Sequence, residues 1–111
     1  DRAEGNGWMS LKSDLADALA ADARLMILKE LAGQTNGRLS DLLIRKVLDL
    51  YGIARDRDWI TTQLRKLETL GAVELTEAGS VLIALITRIG RDHLEERLIL
   101  SGVTRPADAD L

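Results

Sequence analysis

The sequence predicts a mainly α-helical domain with a small β-hairpin, four or five helices plus a two-stranded wing. Three observations carry that prediction. Over residues 56–70, Ile60, Leu64 and Leu67 recur at helical spacing and line one face, and Leu70 closes the stripe. Gly71 stands directly behind this helix, where a chain about to turn sharply needs a residue without a Cβ. Two short β-prone runs, 72–75 and 81–86, then flank Thr76-Glu77-Ala78-Gly79-Ser80 and read as a hairpin. A helix that runs at once into a two-stranded wing is the layout of a winged helix-turn-helix, a binding module with no catalytic centre.

The other elements follow in chain order. Residues 13–32 read as helical, with Leu15, Leu19, Leu25, Leu28 and Leu31 as an apolar stripe and Ser13 as N-cap. Asp22 offers a second possible cap, which would split this region into a short and a longer helix. Gly33 and Asn36-Gly37 mark a loop. A second helix spans 40–51, capped by Ser40, with Leu43, Val47 and Leu50 expected as its core face. Leu42, Ile44 and Leu48 lie beside that face, and Gly52 sits at the left-handed C-cap position. The third helix is capped by Asp56, with Asp58 adding negative charge near its positive end. A fourth helix is expected over 87–97, with Ile89, His93 or Leu94, and Leu98 on one side. The domain is therefore placed at 9–103, with 104–111 as a polar C-terminal tail. Met9-Ser10-Leu11-Lys12 resembles the start of a gene product, so residues 1–8 read either as an upstream extension or cloning remnant or as native sequence.

Composition narrows the function classes. A chain of 111 residues that is 46% hydrophobic can bury a core as one domain. The absence of cysteine removes disulfides, thiolate metal sites and cysteine nucleophiles together. No apolar run approaches a membrane span and no signal-peptide core is present, which suits the cytoplasm of a bacterial host. His93 is the single histidine, and with Glu96 it supplies at most two ligands on a helix. There is no glycine-rich phosphate loop, and Asp56 and Asp58 belong to the helix start. No enzyme, metal or cofactor is expected.

Net charge is −3, which on its face is unhelpful for a nucleic-acid ligand. By segment it is −2 over residues 1–37, +2 over 38–71 and −3 over 72–111, so the positive excess sits on the helix-turn-helix. A recognition helix reads base edges with its outward face and holds phosphate with basic residues at its ends. Thr61, Thr62 and Arg65 are the expected base-facing residues, and Arg55, Arg57 and Lys66 the expected phosphate contacts. Glu74 and Glu77 argue the other way, because a carboxylate on a wing is repelled by a duplex.

The run Val81-Leu82-Ile83-Ala84-Leu85-Ile86 is apolar on both alternating faces, whereas an ordinary wing exposes one face to water. Cover from the fourth helix, from the N-terminal region or from a second subunit is required. A homodimer is the favoured expectation, with Leu82, Ile83, Leu85 and Trp59 as its interface, and a two-fold dimer would suit a pseudo-palindromic site. Trp59 alternatively covers the core edge, and Trp8 either anchors on a partner or lies on the helix bundle.

Two resemblances add to this reading. Ile60-Thr61, Leu64 and Leu67-Glu68-Thr69-Leu70-Gly71-Ala72-Val73 resemble the winged-helix bacterial regulators of the MarR type, in which such a run ends the recognition helix and leads into the wing. From Met9 to Pro106 the chain also resembles a family of small uncharacterised proteins of Mu-like phages and prophages. The segments that carry this are 22–32, Arg57-Asp58, Ile86-Thr87-Arg88-Ile89-Gly90 and Gly102-Val103-Thr104-Arg105-Pro106. The resemblance implies a winged-helix fold and a phage origin, and it supplies no activity. The expected function is thus a small double-stranded-DNA-binding protein in transcriptional regulation. The alternative is a protein-interaction winged helix, an adaptor in phage DNA packaging or assembly, with the aliphatic hairpin and Trp59 making the contact.

Overall fold

The computed structural model describes residues 2–109, and their side chains from Gly7 onward. Asp1, Asp110 and Leu111, which belong to the two expected terminal segments, lie outside the described residues. The elements are α1 (Arg2–Ala32), β1 (Arg38–Ser40), α2 (Asp41–Leu50), α3 (Arg57–Thr69), β2 (Val73–Ala78), β3 (Val81–Ile86) and α4 (Arg88–Leu94), followed by a 3-10 turn at Pro106–Asp108. Among the described residues this is a mainly helical fold of four α-helices on a three-stranded antiparallel sheet of order β1-β3-β2.

One helix replaces the two expected at the start. Neither Ser13 nor Asp22 caps anything, because α1 runs unbroken from Arg2. Its C-terminal half carries Leu25, Ile27, Leu28 and Leu31 into the core, while Leu15 stays exposed. Each fully buried aliphatic side chain contributes about 1.5–3 kcal/mol, so this half of α1 is a main stabiliser of the fold.

The core face of α2 differs from the expected one. Ile44 and Leu48 point inward with Asp41, whereas Leu43 is exposed, Val47 half-buried and Leu50 85% exposed. The two stripes lie one residue apart on the helix, about 100° of rotation. A buried contact of Asp41, described below, selects the stripe that contains it. Ser40 caps the helix as expected, its hydroxyl accepting the Leu43 N–H at 3.2 Å.

The third helix matches its sequence reading. Asp56 accepts the Trp59 N–H at 2.8 Å, and Ile60, Leu64 and Leu67 are fully buried. Gly52 and Gly71 both take the left-handed conformation, at φ 88° and 79°.

The hairpin is tighter and its sheet larger than expected. Thr76, Glu77 and Ala78 belong to β2, so only Gly79-Ser80 turns. The unexpected β1 makes β3 the central strand: Leu39 pairs with Ala84 and Ser40 with Ile83. This resolves the doubly apolar β3. Leu82, Ala84 and Ile86 face the core; Val81, Ile83 and Leu85 face outward and are half-buried. Ile83 is flanked across the strands by Ser40 and Thr76, and Leu85 by Arg38 and Glu74.

The end of the chain is also docked. α4 stops at Leu94 and not at residue 97, and Glu96 adopts φ 59°. Gly90 and His93 are its buried residues, while Ile89 is exposed. His93 Nδ1 accepts the Leu100 N–H at 3.1 Å, so Nε2 carries the hydrogen donated to the Thr104 carbonyl at 2.9 Å. Thr104, the first residue of the expected polar tail, donates its N–H to Ala21 O at 3.3 Å, and its hydroxyl bonds Asp22. Val103 is buried and Ala109 packs on the core.

Candidate nucleic-acid interface

Two helices joined by a short turn position the candidate surface. Leu48 O accepts the Ile53 N–H at 2.9 Å, and buried Ile53 pins the turn to the core. Arg45 Nε donates to the Arg55 carbonyl at 3.0 Å and ties α2 to the residue that precedes α3. Behind α3, buried Gln63 accepts from Arg24 Nε at 2.9 Å, and Arg24 also donates to the Gly102 carbonyl at 2.7 Å. Burial holds the Arg24 guanidinium below its ordinary pKa, offset in part by the charge of Asp17. These bonds fix the inward face of α3 and leave its outward face to solvent.

On that outward face Thr62, Arg65, Lys66 and Thr69 are exposed, and Thr61 is half-buried. Thr62 donates its hydroxyl to the Asp58 carbonyl at 3.0 Å, and Thr69 to that of Arg65 at 3.0 Å. Both threonines then offer a methyl and free oxygen lone pairs outward. Between α3 and the hairpin lies an open cleft of about 440 Å³ whose lining includes Asp58, Thr61, Arg65 and Glu77.

The two arginines of this cleft are held by bonds of different strength. Arg65 lies 3.3 Å from Glu68 and 3.8 Å from Glu77. All three side chains are solvent-exposed, and exposed pairs contribute at most about 1 kcal/mol, so a phosphate or a guanine edge can displace the carboxylates. Arg57 is different. Its Nε lies 2.9 Å from the carboxylate of Asp41, whose residue is 1% exposed, and its other end bonds the Ser80 carbonyl. Arg57 therefore ties α2, α3 and the hairpin together. A phosphate contact was expected at this position; here Nε and one terminal nitrogen of Arg57 are engaged within the protein, and releasing them would strand a buried carboxylate.

The remaining expected residues fall as follows. Arg55 stacks its guanidinium over the Trp59 ring at 5.4 Å from the centroid, at the start of α3. Trp59 is half-buried and packs on the core. Lys66 is exposed, and among the described residues Arg45, Lys46, Arg55 and Lys66 form no ion pair. Leu82, expected at a dimer interface, is buried in the core and cannot reach a partner without opening the sheet. Ile83 and Leu85 lie on the outer face of the sheet. His93 and Glu96 do not converge on a common point as ligands, since both ring nitrogens are engaged and Glu96 accepts the Ala107 N–H at 3.1 Å.

Sequence reasoning missed Asp41, Arg45 and Lys46. Asp41 had one signal, its place at i−3 and i−7 from Ile44 and Leu48, but an aspartate in an apolar stripe argues against that stripe until its partner is known. No helix among the described residues is long and apolar enough to cross a membrane. No family model matches the chain, and no curated protein or solved structure matches it.

Proposed function

We propose that this chain is a winged helix-turn-helix protein that binds double-stranded DNA by laying α3 in the major groove, in transcriptional control within a phage or prophage. The observation that carries the reading is α3 itself. Its inner face is locked by Ile60, Gln63, Leu64 and Leu67, while Thr62, Arg65 and Lys66 stand outward beside a two-stranded hairpin. The order of elements, with a short strand before the helix pair and a hairpin after it, agrees with a winged helix. In this reading Arg65 and Thr62 read base edges with Thr61 at the cleft margin. Phosphate is held by Lys66 and Arg55, joined by Arg45 and Lys46 from α2.

Four phosphate contacts and an acidic chain together imply modest, salt-sensitive binding. At a slope of about −0.9 per contact, affinity should fall on the order of 100-fold between about 50 and 200 mM salt. Fluorescence anisotropy on random and selected duplexes tests this. Lys66→Ala should weaken every duplex alike and flatten the salt slope by about one unit. Arg65→Ala should cost roughly 1–3 kcal/mol on the preferred site and relax its sequence choice. Arg57→Ala should lower stability and leave the salt slope of the folded protein unchanged. Wild-type protein that fails to bind at micromolar concentration in low salt defeats the proposal.

One observation favours the adaptor reading instead. α2 exposes Leu43 and Leu50 on its outer side, and Asp58 and Glu77 flank the cleft. If DNA is not bound and Leu50→Asp abolishes capture of a phage protein, the module recognises protein.

A further inference from the structure

Asp58, Thr61, Thr62 and Arg65 stand at i, i+3, i+4 and i+7 of α3 and so share one face. The face runs from a carboxylate in the first turn, past two threonines, to a guanidinium. The cleft beside the hairpin is lined by the carboxylates of Asp41, Asp58 and Glu77. Asp41 is committed to Arg57 and to the Leu82 N–H, and Glu77 lies 3.8 Å from Arg65. Among the described residues the carboxylate of Asp58 enters no ion pair, and only its backbone carbonyl is engaged, by the Thr62 hydroxyl. Asp58 is exposed, and the cap of α3 is already supplied by Asp56. It is therefore an acceptor without a partner at the leading end of the helix.

We propose that Asp58 reads cytosine, its carboxylate accepting a hydrogen bond from the N4 amino group in the major groove. The inference rests on the DNA reading above and names the class of sequence that the same surface selects. A recognition helix meets base edges with its N-terminal residues, so a first-turn carboxylate faces the groove floor and not the phosphates. Of the four bases only cytosine and adenine present an amino donor there. Guanine N7 and O6 and thymine O4 are acceptors and repel a carboxylate. The adenine amino group stands beside its own N7 acceptor, whereas that of cytosine has no acceptor beside it on the same base. Further along the face, Thr62 meets a thymine methyl, and Arg65 donates to guanine O6 and N7 once its exposed carboxylates are displaced. Asp58 and Arg65 are seven residues apart, about 10 Å of helix and about three base-pair steps. The preferred site thus holds a cytosine and, about three base pairs away, a guanine, with a thymine between them.

Selection of bound duplexes from a randomised pool by the full chain, then anisotropy on duplexes that differ at one position, tests this. Wild type should enrich cytosine at one position, and exchanging that base pair should weaken binding about 5- to 10-fold, the lower end for a base contact because a single hydrogen bond is lost. Asparagine keeps the shape of aspartate but pairs with adenine N6 and N7. Asp58→Asn should therefore move the preference at that position from cytosine to adenine and leave the guanine read by Arg65 in place. Asp58→Ala should lose the preference there and nowhere else. The salt slope of both variants should match wild type, because no phosphate contact is removed. Both should keep the far-UV spectrum, since Asp56 still caps α3. If Asp58 merely repels the duplex, Asp58→Asn tightens every duplex alike and shifts no base preference. That result, or a wild type that binds every duplex alike, overturns the inference and leaves DNA binding standing. Wild type that binds no duplex at micromolar concentration in low salt overturns the DNA reading and this inference together.

Discussion

Asp41→Ala is expected to lower the free energy of unfolding by about 2–4 kcal/mol. The carboxylate performs two tasks at a place where neither can be transferred. β1 ends at Ser40, opposite Ile83, and the next N–H along β3, that of Leu82, is accepted by Asp41 Oδ1 at 3.2 Å. The other oxygen takes Arg57 Nε at 2.9 Å. Alanine leaves a buried N–H without an acceptor and releases the arginine that bridges to the hairpin. The loss stays below the upper end for broken buried pairs because the Arg57 side chain is 41% exposed and water reaches it. Asp41→Asn separates the two tasks: its amide oxygen still accepts the Leu82 N–H while the charge on Arg57 goes unanswered, so roughly half the loss is expected. Urea unfolding followed by circular dichroism measures both variants. An alanine variant within about 0.5 kcal/mol of wild type, the usual range for surface substitutions, removes the claim that this pair anchors the helix-turn-helix to the hairpin.

Gly90→Ala is expected to cost about 2–3 kcal/mol, against the direction that helix propensity alone would give. In an open helix position the change stabilises by up to about 1 kcal/mol. At Gly90 an added Cβ would lie 2.5 Å from the Ala72 carbonyl oxygen, 2.8 Å from Ile86 Cγ1 and 3.3 Å from Leu28 Cδ2. The first contact is the severe one, because it is backbone. Ala72 O accepts the Thr87 N–H at 3.0 Å, and the Thr87 hydroxyl caps α4 while donating to the Gly71 carbonyl. The oxygen cannot retreat without undoing the start of α4. A fall in melting temperature of about 10–20 °C should follow for a domain of this size. Gly7→Ala on α1, with nothing within 4 Å of its Cβ, is the matched control and should be neutral or slightly stabilising. An alanine at 90 that melts no lower than wild type would mean that α4 does not pack as closely as described.

Both positions show where the sequence was readable and where it was not. Gly90 was legible in part: a glycine there reads as a cap, a turn or a packing site, and only the approach of Ala72 and Ile86 singles out the last. Asp41 was not, because its burial depends on Arg57, 16 residues away, and on Leu82, 41 residues away. The same limit produced the error on α2. Residues 43, 47 and 50 and residues 41, 44 and 48 are both plausible stripes, and the more apolar of the two is the one in water. The candidate interface divides likewise. Thr62, Arg65 and Lys66 follow from the register of α3, which its own periodicity settles. That Arg57 is held while Arg65 is only lightly restrained follows from which carboxylates the fold brings to each.

What the sequence by itself determined is local. The stripe of Ile60, Leu64 and Leu67, the Asp56 cap, the left-handed Gly52 and Gly71, and the extended run of β3 each rest on steric or hydrogen-bonding rules that act within a few residues. The tertiary structure decided the rest. It recruited Arg38–Ser40 as a third strand too short to show an alternation of its own, turned α2 onto its Asp41 face, tied Thr104 to Ala21 and Asp22 of α1 and bound Arg57 to Asp41 and the Ser80 carbonyl. Each of those outcomes satisfies a buried polar group or apolar side chain with a partner distant along the chain, and such partners become known only when the chain has closed on itself.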